Sequence, residues 1–532
     1  MKKLTVFMPA RFSRWKQGIF IFILILILFI HTSFIPNGFT WLDQNDIVEG
    51  NAVLPIQQIH RAFVIPFGQT SFYRPIVTIV NSFDSFLYHE WAPGFHLTNV
   101  LLHLTIVVLV PLFLSAFFKF SKKQLYLGAL VFGIHPGSIL IVGSITQRQE
   151  FLFVAFTILT LYFHKKAREE HAMTNKAFTL LCFLAALFSK ETALVTVPLL
   201  VIFWEMVNRR KKDIKFFLLE LMPIALYIAF RMEAVPTLWG TQTFDLTLPQ
   251  HIGTRLGLFL QWLFLLISPV KPSFSDAVPI LGFITFQSIT VICILSLSLF
   301  IIIRLGLTSP LSKSLILILI FLSACLHIIP VPRIGSPHYI YLPALGLAGL
   351  VATLSTLLMN RFFKIIMIVW IVIASLSVFR AGFQFRDNYA LFALEVEKDP
   401  YFYEGHYYLG NHYLKNRDIE RAEKEFELGL VENPNVLAFR NKWTMLVNLA
   451  GIKLEKGQLE EAEQLYEKAA PDTPESMKAH LLYNTALVAY QQGKYGKVVE
   501  LLSGKDLPDQ QAYLLLASAL KQLDQEKKPK KN

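Results

Sequence analysis

The sequence predicts an all-α protein in two parts: a polytopic bundle of about eleven membrane helices, then a C-terminal solenoid of helical repeats. Three observations predict it. Hydrophobic residues make up 54% of the chain and charged ones 17%, with a mean hydropathy of +0.47, a balance that puts most of the chain in lipid. Apolar runs of spanning or near-spanning length recur from the N-terminus to residue 381, separated by short basic clusters. From about residue 385 the composition becomes charged and amphipathic, and similar segments recur. The expected parts are a membrane region over 1–384, repeats over 385–525 and a basic tail over 526–532.

The first apolar run, Gln17 to Ile35, follows Lys2, Lys3, Arg11, Arg14 and Lys16. It is too long for the apolar stretch of a secretory signal, and no small-x-small cleavage site follows, so it reads as a retained first helix with a cytoplasmic N-terminus. Further runs lie near 97–118, 124–143, 150–164, 177–189, 193–208, 214–230, 254–270, 282–303, 314–330, 338–358 and 363–381. The formal charge of +12 does not mark a nucleic-acid binder, because the cations sit mainly in clusters between these runs. They set topology. Lys119/Lys122/Lys123, Lys165/Lys166/Arg168 and Arg209 to Lys212 mark cytoplasmic loops, which places Asp43, Arg148 and Lys190 outside. Counting 254–270 as a crossing would put Arg304/Lys313 and Arg361/Lys364 outside as well. Treating it as re-entrant or interfacial keeps both pairs inside, leaves eleven crossings, and sends the repeats to the same outer face as Asp43.

The outer loops carry the unusual chemistry. The loop 36–96 holds Asp43, Asp46, Glu49, Arg74, Asp84 and His96, and loops of that length are usually functional. Shorter outer turns add Arg148/Glu150, Lys190/Glu191, Arg231/Glu233 and Arg333/His338. The three cysteines, Cys182, Cys293 and Cys325, fall inside apolar runs and imply neither a disulfide frame nor a metal cluster, and no metal ligand is assigned.

In 403–436 the residues Leu409, Gly410, Tyr413, Ala422, Phe426, Gly429 and Pro434 follow the tetratricopeptide pattern, in which small residues let two helices approach and large ones fill the gap. A second repeat near 443–476 has Leu449, Ala450, Gly457, Ala462, Tyr466, Ala469 and Pro474. A third, looser one near 479–512 has Ala486, Gly493 and Leu502, and 509–523 would cap the stack. Such hairpins bury their faces only against neighbours, and the product is a curved groove suited to an extended peptide.

The stretches "FTWLDQNDI", "YRPIVTIV", "GFHLTNVLLHL", "GIHP", "ITQRQEFL", "LFSKETA", "LYIAFR", "KPSFSD" and "HYIYLPALG", in that order, carry a likeness over nearly the whole chain. The chain resembles the transmembrane and tetratricopeptide-repeat glycosyltransferases, relatives of the protein O-mannosyltransferases. The resemblance implies a type-C glycosyltransferase that moves a sugar from a polyprenyl-phosphate donor to an exported protein or glycan on the outer face. It implies Asp43 as the catalytic acidic residue, aligned with the second Asp of a paired motif whose first position is Leu42 here. Arg74, His96, Arg148, Glu150, Lys190, Glu191, Arg231, Arg333 and His338 are the candidates for holding donor phosphate or acceptor, since guanidinium suits phosphate geometry. Two further departures are Leu140, where the family has Glu, and His338, where it has Arg. They leave open a second reading, a catalytically degenerate membrane scaffold that assembles an envelope complex through its repeats. The compact repeat tail and the lack of a long lumenal insertion favour a bacterial inner membrane.

Overall fold

A computed structural model describes residues 14–68, 70–208, 214–235, 246–326, 333–358, 360–505, 507 and 510–527. The basic residues Lys2, Lys3 and Arg11, the cluster Arg209 to Lys212 and the tail from 528 onward lie outside these. The chain is mostly helical and divides into two compact units, 1–391 and 392–532.

The first unit runs through α1 (Arg14–His31), α2 (Pro75–Tyr88), α3 (Ala92–Phe117), α4 (Lys122–Gly133), α5 (Ile139–Gly143), α6 (Arg148–Glu170), α7 (Met173–Leu187) and α8 (Ala193–Asn208). It continues through α9 (Ile214–Leu219), α10 (Met222–Ala234), α11 (Leu248–Ile267), α12 (Phe286–Leu305), α13 (Pro310–Ala324), α14 (Pro343–Leu357) and α15 (Arg361–Gly382). Among the described residues four helices are long and apolar enough to cross a membrane: α3, α12, α14 with the 3₁₀ turn before it, and α15 with the turn after it. A fifth candidate is α4 with the helical segment Pro136–Gly143, bent by 47°. The bend has a local cause. Pro136 cannot donate a backbone hydrogen bond, and the His135 ring accepts from Gly137 N at 2.9 Å instead. Shorter apolar helices include Gly18–Phe34, α7, α8 and α13. Phe300 and Ile303 on α12 and Ile366 and Val369 on α15 are exposed, and an apolar surface of that kind is covered by lipid in a membrane-associated chain.

Close approach between helices relies on small residues where lipid offers no hydrophobic drive. A Cβ at Gly346 would come within 2.7 Å of Ile318, and one at Gly128 within 3.3 Å of the Ala348 carbonyl. These contacts seat α14 between α13 and α4. The apolar run 214–230 is two helices, α9 and α10, separated by Glu220, and Pro223 opens the second.

The segment after α11 folds back along it. Leu281 N donates to Thr254 Oγ1 at 3.0 Å, and a Cβ at Gly253 would strike the Gly282 carbonyl at 2.0 Å. Residue 281, fourteen positions past the end of α11, thus lies beside the start of that helix.

The second unit is a series of antiparallel helix pairs: α16 (Asn388–Lys398) leads in, followed by α17 (Tyr403–Lys415) with α18 (Ile419–Leu430), α19 (Lys442–Glu455) with α20 (Leu459–Ala469), α21 (Glu475–Gln491) with α22 (Tyr495–Leu502), and α23 (Gln510–Lys527). Gly410 on α17 admits the Phe426 ring of α18, which a Cβ would meet at 2.5 Å. The second pair packs Ala450 and Ala462 with Tyr466, and the third packs Ala486 with Val498 and Leu502. After the first helix of each pair the chain turns through a left-handed residue, Arg417 (φ 60°), Gly457 (φ 75°) and Gly493 (φ 74°) in turn. Successive pairs are tied by one acidic side chain each: Glu423 of α18 meets Lys453 (2.7 Å) and Lys456, and Glu463 of α20 meets Lys494 (2.9 Å) and Lys497 (2.5 Å).

Candidate active site

The charged residues singled out above all lie at helix ends or in the adjoining loops of the first unit, and they fall into two groups. Arg74 opens α2, with Pro75 at the first helical position, and it pairs at two points with Glu191 in the turn between α7 and α8: Nη2 to Oε1 at 2.8 Å and Nε to Oε2 at 3.3 Å. The Phe72 ring lies against the guanidinium at 4.1 Å. Lys190, one residue before Glu191, donates to Glu150 in the first turn of α6, and both side chains are buried. Glu150 Oε1 is also 3.6 Å from His338 Nε2, while His338 Nδ1 and Ser336 Oγ share a 2.7 Å hydrogen bond. Tyr339 lies under the Lys190 ammonium, with 5.0 Å between Nζ and the ring centre. Arg74, Glu191, Lys190, Glu150 and His338 thus form one connected ionic cluster drawn from four separate parts of the sequence.

The second group is built around Arg148, whose side chain is completely enclosed. Its guanidinium donates to Asn99 (2.9 Å), Asn81 (3.2 Å), Asp84 (2.6 Å) and the Phe95 carbonyl (3.0 Å). These bonds pin the start of α6 to α2 and α3. His96 donates from Nε2 to the Gly38 carbonyl at 3.0 Å, and its buried Nδ1 has no hydrogen-bond partner among the described residues. Arg231, at the end of α10, reaches the Ser71 carbonyl at 3.5 Å and so braces the loop before Arg74. Arg333 lies 6.0 Å from the Trp41 ring.

Asp43 and Asp46 stand between the groups. Asp43 is fully buried: Oδ1 accepts from Thr146 N (3.1 Å) and Ser144 Oγ (3.3 Å), and Oδ2 from Thr40 N (3.4 Å). Burial pushes its carboxyl up to about 7, against the two backbone donors that favour the anion, and the neighbouring Asp46 adds to the rise. Asp46 lies in a π-helical turn, Gln44–Val48, held by Asp46 N to the Leu42 carbonyl (2.9 Å) and Ala52 N to the Asp46 carbonyl (2.8 Å). Burial lifts it to about 6, while the bond from Asn45 and the positive charges of Arg333 and Arg74 restrain the rise. Asp46 therefore feels Arg74 of the ionic cluster and Arg333, whereas Asp43 is tied to the turn that leads into α6.

Sequence reasoning missed Asn81, Asn99, Ser144, Thr146 and Tyr339. Asp84 was noted in the outer loop, but nothing near it in sequence pointed to Arg148, 64 positions away. Tyr339 sits in the quoted "HYIYLPALG", and its neighbour His338 was the only signal. The ring of His135 bonds the Leu266 carbonyl at 2.8 Å, consistent with a residue that shapes a helix end. An apolar cavity of about 480 Å³ beside α11, lined by Leu260, Phe264, Val278 and Leu281 among others, shares no residue with the ionic cluster.

No family model matches the chain. A protein O-mannosyl-transferase of Caenorhabditis elegans is 30% identical to it over 138 residues, which cover 24% of this chain and 18% of that protein. The chain thus matches less than a fifth of that relative's length. Over that stretch it is a distant glycosyltransferase relative.

Proposed function

We propose that the protein is a membrane glycosyltransferase of the type-C class, which moves a sugar from a polyprenyl-phosphate donor to an exported protein or glycan at the outer face. The observation that carries this reading is the ionic cluster of Arg74, Glu191, Lys190, Glu150 and His338 at the helix ends, beside a buried carboxylate pair. In the reaction the acceptor oxygen attacks the anomeric carbon, the bond from that carbon to the phosphate oxygen breaks, and polyprenyl phosphate departs as an anion. The cations Arg74, Lys190 and Arg333, with the His338 ring, receive the phosphate charge, and Glu150 and Glu191 hold Lys190 and Arg74 in place. Arg148, His96 and Arg231 shape the walls. The carboxylate pair Asp43 and Asp46 receives the hydroxyl proton, and carboxyl groups lifted toward neutrality suit that task. No residue of this scheme is assigned to a metal.

Eleven crossings fit this reading. The return of residues 268–282 to the start of α11 supports an excursion that enters and leaves on one side, in which α11 adds no crossing and α15 ends on the face of Asp43. The helix pairs after residue 402 are then tetratricopeptide repeats on the outer side, where a groove holds the acceptor chain. A bacterial inner membrane, with those repeats in the periplasm, is the setting this topology fits. A scaffold without catalysis is the second reading, favoured by the closure of the Arg74–Glu191 and Lys190–Glu150 pairs on themselves.

Deleting the gene and comparing intact masses of exported proteins tests the proposal. A loss of hexose-sized mass from particular proteins, restored by the wild-type gene, is expected. Unchanged masses across the envelope fraction would favour the scaffold.

A further inference from the structure

The two carboxylates after α1 differ in what is left of them for a substrate. Asp43 spends both oxygens on Thr146, Ser144 and Thr40 and has no exposed surface. Its two bonds to the 144–146 turn fall on Oδ1 and the Thr40 bond on Oδ2, and neither oxygen is exposed to an incoming hydroxyl. Asp46 accepts on Oδ1 from Asn45 Nδ2 at 2.7 Å, and no donor among the described residues reaches its Oδ2. Its backbone is held at both ends of the π turn, so the side chain is placed by the fold. Wide turns of this kind recur at functional sites because they redirect a side chain out of the helical register.

We propose that Asp46, through Oδ2, is the catalytic residue that takes the acceptor's proton, and that Asp43 is a positioning residue that fixes the segment against the 144–146 turn. The assignment rests on the glycosyltransferase reading above. The charges facing Asp46 are Arg74 of the ionic cluster, Arg333, Glu49 from its own segment and the neighbouring Asp43; Arg148 faces Asp84 first and then Asp43. A base that feels both Arg74 and Arg333 is within reach of the sugar of a phosphate held by those cations. As the acceptor oxygen bonds to the anomeric carbon, its proton passes to Asp46 Oδ2, and the electron pair of the broken bond leaves with the phosphate. Asp46 then releases the proton to water.

The test uses the full-length protein in lipid vesicles, a panel of polyprenyl-phosphate hexoses as donors, and a mixture of Ser- and Thr-containing peptides as acceptors. Asp46→Asn should lower kcat/KM by about 100-fold or more with donor binding retained. Asp43→Asn should lose about tenfold or less and unfold at a lower temperature. Glu49→Gln, at an exposed position outside the cluster, should keep its turnover at pH 8 and move the acid limb of the kcat/KM profile to lower pH, because the Glu49 charge raises Asp46. That shift is readable even if Asp46→Asn does not fold, and a purely structural role for Asp46 would not produce it. Asp46→Asn within threefold of wild type, or an acid limb unmoved by Glu49→Gln, overturns the assignment while wild-type transfer leaves the broader function standing. Absence of transfer by the wild type with every donor overturns both.

Discussion

Lys190 and Glu150 form an ion pair that solvent scarcely reaches, with side-chain exposures of 6% and 2%. The pair joins the turn before α8 to the first turn of α6, and His338 and Arg74 extend it on either side. Buried pairs of this kind are expensive to break by halves. Lys190→Met should destabilise the protein by about 3–5 kcal/mol because Glu150 loses its nearest cation, whereas the double change with Glu150→Met should recover most of that loss. Thermal unfolding in lipid nanodiscs measures both. A double variant no more stable than Lys190→Met would contradict this account.

Two arginines that look alike in sequence should fail in different ways. Arg148 is enclosed by four protein acceptors, so Arg148→Ala leaves Asp84 buried without its partner, and the folded yield should fall sharply. Arg74 has a carboxylate on one side and a ring on the other, and Arg74→Lys keeps charge but loses the two-point geometry. It should fold normally and raise the KM for a polyprenyl-phosphate donor by about tenfold, a loss of one strong hydrogen bond. The readouts are detergent-resistant yield for the first and donor titration for the second.

The lifted carboxyl of Asp43 predicts a stability trend with pH. In the unfolded chain this group ionises near its usual value of 3.8; in the fold it does so at about 7. The folded state therefore binds the proton more tightly. Its contribution is fully present below about pH 4 and is lost as pH rises through about 7. Asp43→Asn should flatten that part of the stability curve between pH 4 and 7, seen by thermal melts at several pH values. An unchanged slope would show that Asp43 does not titrate in this range.

Arg417 occupies the left-handed position that Gly457 and Gly493 fill in the next two helix pairs. An L side chain there costs about 1–2 kcal/mol, partly offset by the lower entropy of its unfolded chain. Arg417→Gly should stabilise the first hairpin by up to about 1 kcal/mol. Hydrogen exchange of the α17 and α18 amides in the full chain measures the gain.

The helical character of this molecule was legible from sequence, because an apolar or amphipathic run carries its signal locally. Gly410, Ala422 and Phe426 name their own packing once the spacing is seen. The interruptions were less legible. The run 124–143 reads as one span, yet Pro136 breaks it, and Glu220 divides another. The partition of the charged residues was not legible at all. Arg148 meets Asn81, Asp84 and Asn99 at sequence separations of 49 to 67, and nothing local distinguishes it from Arg74. Likewise Asp43 and Asp46 lie three residues apart, and only the π turn decides which one spends both oxygens on the backbone. Asp46 N bonds the carbonyl of Leu42, which sets the Asp46 carboxylate one turn beyond Leu42.

The most direct test of the central claim is sugar transfer by the purified protein. With the protein in vesicles, a radiolabelled polyprenyl-phosphate hexose and a peptide acceptor, label should pass to the peptide in the wild type and fall by about 100-fold or more when Lys190 is replaced by Met together with Glu150. Transfer that survives the loss of this pair, or no transfer with any donor of the panel, would contradict the account.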